Sequence, residues 1–437
     1  MNKKFRKLFK TAAALSFYLF IFIFPWQTKL IIQPAASNFN EISFYASHGL
    51  LLLSLIFFLI FKSKHCRLRD RNAWLWGALA GLELFIIISF FFATDQFLAF
   101  YHYLIFLVGV GLLFLLREET AEDDYEESCL SRIKVIYSFL AGVFLQALIG
   151  IYQFLTQTSF AFKYLGLAMH DPQALGSSVI ETVSGRWLRA YGGFDHPNIF
   201  AGVLVIGLIL AAYLLAKKKV LDSRTEVMES IFLFIFYFVS LFALFFTFSR
   251  AGWIAFGVGL LWLLVSLMIR RDRWILGRFL ALMFFSAIMA IIVVYPYREL
   301  LQTRVNGVGR LEERSWQERW TYMYQAKDII SDHWIFGVGI GNYTKVVEER
   351  AVAQEEKINN PWQYQPVHNV FLLLWSQSGI FALISFGLFL FFVIKKDRRS
   401  VFPAAIFGAL LVLMLFDHWL LSLPFGLLFM FFVLGLI

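Results

Sequence analysis

Twelve stretches of this chain are apolar for so long that they decide its class. They lie at about 12–32, 45–61, 73–93, 99–116, 135–155, 197–216, 231–248, 252–269, 275–295, 368–394, 401–416 and 424–437. Crossing the hydrocarbon of a bilayer takes roughly 20 apolar residues in a helix. Lipid offers no partner to backbone N–H and C=O groups, so such runs must satisfy them internally. The seventh and eighth runs are separated only by Ser249-Arg250, and the last is short enough for a partial crossing. Charged residues are 16% of the chain, against about 25% in soluble domains. The fold class is therefore an all-α integral membrane protein of about twelve transmembrane helices. It divides into helices 1–9 over 1–295, a long helical loop over 296–367, and helices 10–12 over 368–437.

The net charge of +9 would suit a polyanion partner such as nucleic acid, but its placement argues otherwise. With the N-terminus in the cytoplasm, 25 of the 39 basic residues fall on inner loops, five on short outer loops and nine on the long outer loop. That is the positive-inside distribution, so the charge reports topology, with both termini cytoplasmic, and no nucleic acid is expected. The opening MNKKFRKLFKTAAALSFYLFIFIF has the shape of a signal peptide, and Ala35-Ala36-Ser37 is a weak cleavage site. Its long apolar run reads instead as a retained first helix. Cys66 and Cys129 fall on inner loops, where a structural disulfide is not expected, and no metal-ligand spacing is present. The acidic stretch at 117–134 reads as a solvated connector.

Two outer segments exceed mere turns, one over roughly 156–196 and one over 296–367. Within the second, RLEERSWQERWTYMYQAKDIISDHW (310–334) has an amphipathic helical period, with Trp316, Trp320, Met323 and Ile330 near one face. A glycine turn, FGVGIGNY (336–343), leads to a further helical stretch that Asn359-Asn360-Pro361 ends. The run Gly337, Gly339, Gly341 imitates a nucleotide fingerprint but follows no strand of a βαβ unit, so a tight turn is the better reading. The loop then forms a helical extracytoplasmic cap lying against the membrane surface.

Polar residues that could carry chemistry gather at the outer ends of the helices. RAYGGFDHPNIFAG starts a helix at Pro197, where a missing N–H is harmless. The free N–H groups of that helix end, with Arg189 and two glycines just upstream, suit an anion. The alternative is a capped helix with a snorkelling arginine, and Asp195 could neutralise either arrangement. FTFSRAGW puts Arg250 in a hairpin that does not need it, and a charge near the membrane is functional by default. QPVHNVFLLLWSQSG starts the tenth helix with His368-Asn369; a desolvated, neutral imidazole can take a proton from a hydroxyl, though such a histidine can also be a polar anchor. FDHWLLSLP places Asp417 at the outer end of the eleventh helix, to orient a histidine or balance an arginine. Guanidinium groups bind phosphate oxygens in forks and stay charged. With an apolar groove beside them and a neutral base, they match a lipid-linked diphosphate at headgroup depth.

These blocks, in this order, resemble the O-antigen ligase/polymerase family of membrane glycosyltransferases. The matching pieces are RAYGGFDHPNIFAG, FTFSRAGW, RWTYMYQAKDIISDHWIFGVGIGNY and VHNVFLLLWSQSGI, over most of 190–395. The resemblance implies a GT-C-like fold and transfer of a glycan from an undecaprenyl-diphosphate carrier to an acceptor hydroxyl on a glycan, lipid or protein. The reaction is extracytoplasmic, in the bacterial cytoplasmic membrane, with no metal and no cofactor. By matched motif, Arg189, Arg250 and Arg319 hold the diphosphate and His368 is the base, supported by Asn198, Asn369 and Asp417. The pattern does not account for Asp195-His196, so His196 is a rival base. Ligase and polymerase share the donor site and are not separated by sequence. A transporter or flippase of an anionic lipid or solute would need ionisable groups deep in several helices, where Glu83 is the main candidate. A scaffold protein would leave Arg189, Arg250 and His368 without a shared purpose.

Overall fold

A computed structural model describes residues 3–35, 37–62, 72–118, 120–121, 130–183, 185–218, 223–307, 309–353, 364–395 and 401–437. Cys66, Cys129, Ala36, Asn359-Asn360-Pro361 and most of the acidic connector lie outside the described residues. A helix covers most of each of the twelve apolar runs. In chain order these are α1 (Lys3–Ile23), α2 (Ala46–Lys62), α3 (Ala73–Phe90), α4 (Gln96–Glu118), α5 (Arg132–Thr156), α6 (Pro197–Lys217), α7 (Arg224–Phe246), α8 (Arg250–Arg270) and α9 (Arg273–Val294). The cap follows as α10 (Arg298–Asn306), α11 (Arg310–His333) and α12 (Tyr343–Ala353). The chain closes with α13 (Val370–Lys395), α14 (Val401–Phe416), the single turn α15 (Trp419–Ser422) and α16 (Pro424–Leu436). Eight of these, α3 to α9 and α13, are long and apolar enough to cross a membrane; α2, α14 and α16 are shorter apolar helices. The protein is a multi-pass membrane protein.

The first apolar run does not stay helical to residue 32. Its helix stops at Ile23, just before Pro25, and the β-branched Ile31 and Ile32 enter an antiparallel hairpin of β1 (Lys29–Gln33) with β2 (Ile42–Tyr45). Two further pairs are small: β3 (Thr120–Ala121) runs parallel to β4 (Leu130–Ser131), and β5 (Val179–Thr182) pairs antiparallel with β6 (Gly185–Leu188) just upstream of Arg189.

Helix α6 is buried nearly throughout and is packed by α5, α7, α8, α9 and α14. Its small residues permit this crowding. At Gly202, for example, a Cβ would stand 2.6 Å from the Trp419 ring. Burying α6 fixes its N-terminal end, with His196, Pro197 and Asn198, in the middle of the loop face instead of at its rim. The loops of that face are tied together: Ala190 N–H donates to the Phe246 carbonyl (2.9 Å), Arg304 Nε to the Phe248 carbonyl (2.9 Å) and Asn369 Nδ2 to the Leu415 carbonyl (3.2 Å). Glu83, the deepest acidic group read from sequence, accepts a hydrogen bond from the Tyr103 hydroxyl at 3.0 Å.

The amphipathic stretch is helix α11, with its tryptophans on the face turned away from the bundle. Glu312, Tyr322, Ala326 and Ile329 point inward, while Trp316, Trp320 and Met323 are exposed. The glycine turn behind it has φ of 69°, 93° and 76° at Gly337, Gly339 and Gly341. It docks into a break in α13 at Gly379, where φ is 81° and ψ is 176°. Val338 N–H donates to the Ser376 carbonyl (3.0 Å), Gly339 N–H to that of Gln377 (2.9 Å), and Ile380 N–H to that of Trp334 (3.0 Å). The carbonyls and N–H freed by breaking α13 are thus satisfied by the cap.

Candidate functional site

The site is built where the N-terminal ends of α6, α8 and α13 meet the cap and the turn after α14. Pro197 is the first residue of α6, as read from sequence, but the cap is His196: its Nδ1 accepts the Asn198 N–H at 3.1 Å. Asp195 neither caps the helix nor pairs with Arg189. Its side chain is exposed.

Arg189 is buried, with Nε donating to the Thr247 carbonyl (2.6 Å), Nη1 to Ser178 Oγ (2.7 Å) and Nη2 to Asn198 Oδ1 (2.9 Å). A guanidinium has five N–H donors, so two remain for a ligand. Burial, and then the charge of Arg304, disfavour its protonated form, with Tyr191 and Glu312 opposing them. Asn198 passes the connection on: its Nδ2 donates to Asp417 Oδ2 at 3.1 Å. Asp417 Oδ1 accepts the His418 N–H at 2.8 Å, and His418 Nδ1 lies 2.7 Å from Ser422 Oγ. Arg189 and Asn198 from one motif and Asp417 from far along the chain form one hydrogen-bonded line.

His368 lies beside the end of that line. It lies just before α13, next to Asn369, whose Oδ1 accepts the Leu372 N–H at 3.0 Å. The His368 ring is stacked with Tyr322 of the cap (5.7 Å between centroids) and edge-on to His418 (4.8 Å). Its Nδ1 is buried without a hydrogen-bond partner. Burial, then the nearby His418 and Arg319, outweigh Asp417 and lower its pKa to about 3. Burial and Arg189 bring His196 to about 3 as well. Burial also lowers His418, helped by Arg319 and opposed by Asp417. Burial would raise Asp417, but His418, His368, His196 and Arg319 together pull it below the ordinary carboxylate value. The pocket thus gathers three imidazoles around one carboxylate, with the Arg319 guanidinium close enough to act on it.

The other half of the site is cationic. Arg250 opens α8, with Nη2 3.3 Å from Glu312 Oε2 and its guanidinium over the Trp316 ring at 5.5 Å. Glu312 also pairs with Arg304 through Nη1. Arg319 is only partly buried and makes no hydrogen bond or ion pair among the described residues; its charge is nonetheless felt at Asp417, Arg250 and His368. Four guanidinium groups thus share the carboxylates of Glu312 and Asp417, leaving an excess of positive charge.

Sequence reasoning singled out neither Arg304 nor Glu312. They face each other across Gly307 and Gly309, both at positive φ (65° and 124°), and that pair of glycines was the available sign of a turn folding one residue back onto the other. Residues 235–387 match the family model described as O-antigen ligase. Over that stretch the chain is similar to the O-antigen ligase family. No curated protein matches the chain. The O-antigen ligase match spans Arg250, Arg304, Glu312, Arg319 and His368, whereas Arg189, His196, Asn198 and Asp417 come from outside it. The fold brings the two groups together on one face of the domain.

Proposed function

We propose that this protein is an O-antigen ligase-like glycosyltransferase. It takes a glycan from an undecaprenyl-diphosphate carrier and gives it to an acceptor hydroxyl, on the extracytoplasmic side of the bacterial cytoplasmic membrane, with both termini inside. The observation that carries this reading is the surplus of guanidinium charge beside a cluster of imidazoles at one end of an apolar bundle. Clustered like charges destabilise a fold unless an anion neutralises them, and a diphosphate does so with oxygens that fit guanidinium forks. Arg319 and Arg250 are the accessible holders. Arg189 offers its two remaining N–H groups from beneath, and Arg304 adds charge.

In the transfer, the His368 imidazole takes the proton of the acceptor hydroxyl as that oxygen bonds to the anomeric carbon. The bond from that carbon to the diphosphate oxygen breaks, and undecaprenyl diphosphate leaves with the electron pair. The arginines stabilise the charge that builds on it, the part a divalent metal plays elsewhere. His196 is the weaker base, because its Nδ1 lone pair already accepts the Asn198 N–H and its other nitrogen then carries the proton. The twelve crossings and the GT-C-like class belong to the same proposal, and a polymerase would use the same donor site.

The test is transfer by purified His368→Ala with a lipid-linked glycan donor and a sugar acceptor. Transfer should fall by about 10²–10⁴-fold while the protein stays folded. Near-normal transfer would remove His368 from the base role.

A further inference from the structure

Among the described residues, His368, Asp417 and His418 are the one group of three whose ligand atoms, one from each, lie within 4.8 Å of one another. The sequence gives no hint of this, since His368 stands 49 positions before Asp417 and no recognisable spacing joins them. We propose that these three residues form a site for a borderline divalent cation of the Zn²⁺ class, and that a bound cation withholds the His368 imidazole from transfer. The second clause rests on the function proposed above; the first does not.

The donor set selects the ion. Two imidazoles with one carboxylate suit Zn²⁺ and its neighbours, whereas Mg²⁺ and Ca²⁺ want oxygen alone. Three protein ligands leave a fourth position for water or substrate. The surrounding groups hold two of the ligands as a metal needs them held. Ser422 Oγ lies 2.7 Å from His418 Nδ1, so the hydroxyl can accept Nδ1–H and leave the Nε2 lone pair free. Asn198 Nδ2 and the His418 N–H fix the two oxygens of Asp417, each of which keeps lone pairs. His368, half-buried and with Nδ1 unpartnered, is the ligand free to adjust. Its adjustment closes the gap to the roughly 3.3 Å between ligand atoms on a tetrahedral zinc ion. Coordination occupies the lone pair that would accept the hydroxyl proton, so metal and transfer compete for one imidazole.

The experiment titrates Zn²⁺ into the untagged full-length protein in detergent, after chelator treatment, by calorimetry. Co²⁺ serves as a second probe whose visible spectrum reports nitrogen coordination. One ion per chain should bind, about tenfold or more weakly in each of His418→Gln and Asp417→Asn and unchanged in His333→Gln, an exposed histidine of the cap. No saturable binding, binding indifferent to both ligand variants, or a Co²⁺ spectrum of the aqua ion would overturn the site. Transfer assayed with Zn²⁺ separates the two readings. Binding at these residues without inhibition keeps the metal site and removes His368 as the base. Transfer that needs His368 in a protein that binds no Zn²⁺ keeps the function and removes the metal site.

Discussion

Asn198→Leu isolates the connection between the two halves of the site. The substitution keeps the length of the side chain and removes its polar atoms. Two hydrogen bonds to ionised groups go with them, the one from Arg189 Nη2 at 2.9 Å and the one to Asp417 Oδ2 at 3.1 Å. Such bonds contribute about 1.5–3 kcal/mol each, so the fold should lose roughly 3–6 kcal/mol, less where water replaces the amide. Arg189 itself should hardly move, because Thr247 and Ser178 still hold it. Asp417 keeps only its bond from the His418 N–H and becomes free to reorient. The kinetic signature is then a split: KM for the donor close to wild type, and kcat reduced by on the order of 10²-fold, the cost of a misplacement of about 1 Å. Purified wild type and variant would be compared by thermal unfolding in detergent and by transfer from a lipid-linked donor. A variant with unchanged Tm and unchanged kcat would refute the idea that Asn198 couples the arginine to the carboxylate.

Three further outcomes are expected. Arg250→Lys should raise KM for the donor by at least about tenfold, because a point charge replaces a planar fork; a fully active lysine variant would mean that charge alone suffices. Glu312→Gln leaves two arginines facing each other around a neutral amide. Breaking a buried ion pair costs about 3–5 kcal/mol, so Tm should drop, and inorganic diphosphate should restore part of it; no rescue would argue against an anion site. Gly379→Ala needs a backbone conformation alien to alanine and puts a Cβ 1.8 Å from the Ile335 carbonyl oxygen. Limited proteolysis should then cut the cap, and an intact cap would show that the break in α13 does not hold it.

The helices were legible because each apolar run is long and lipid permits no other backbone solution. The ends were less so: Pro25 and the isoleucines at 31 and 32 turn the tail of the first run into a hairpin, a local effect that hydropathy averages away. The cap helix was legible from its period, but its orientation was not. In water an aromatic stripe marks the buried side; beside a bilayer the same stripe can face outward, and α11 buries Tyr322 and Ala326 instead. Arg189, Arg250 and His368 stood out as polar residues in apolar company. Arg304 and Glu312 did not, since they sit in a loop full of charges and acquire meaning only by facing each other. The contact of Asp417 with Asn198 spans 219 positions, and no local pattern encodes it.

The stitches between the cap and the broken helix α13 are main-chain bonds at Val338, Gly339 and Ile380, joined by the Trp375 indole, which donates to the Trp334 carbonyl at 3.0 Å. Side-chain replacement removes the indole bond but leaves the three main-chain bonds in place. The helix that carries Arg319 and the segment that carries His368 are therefore two arms of one rigid calliper. The peptide sets where the two side chains begin, and a substrate meets the cation and the imidazole from a common base.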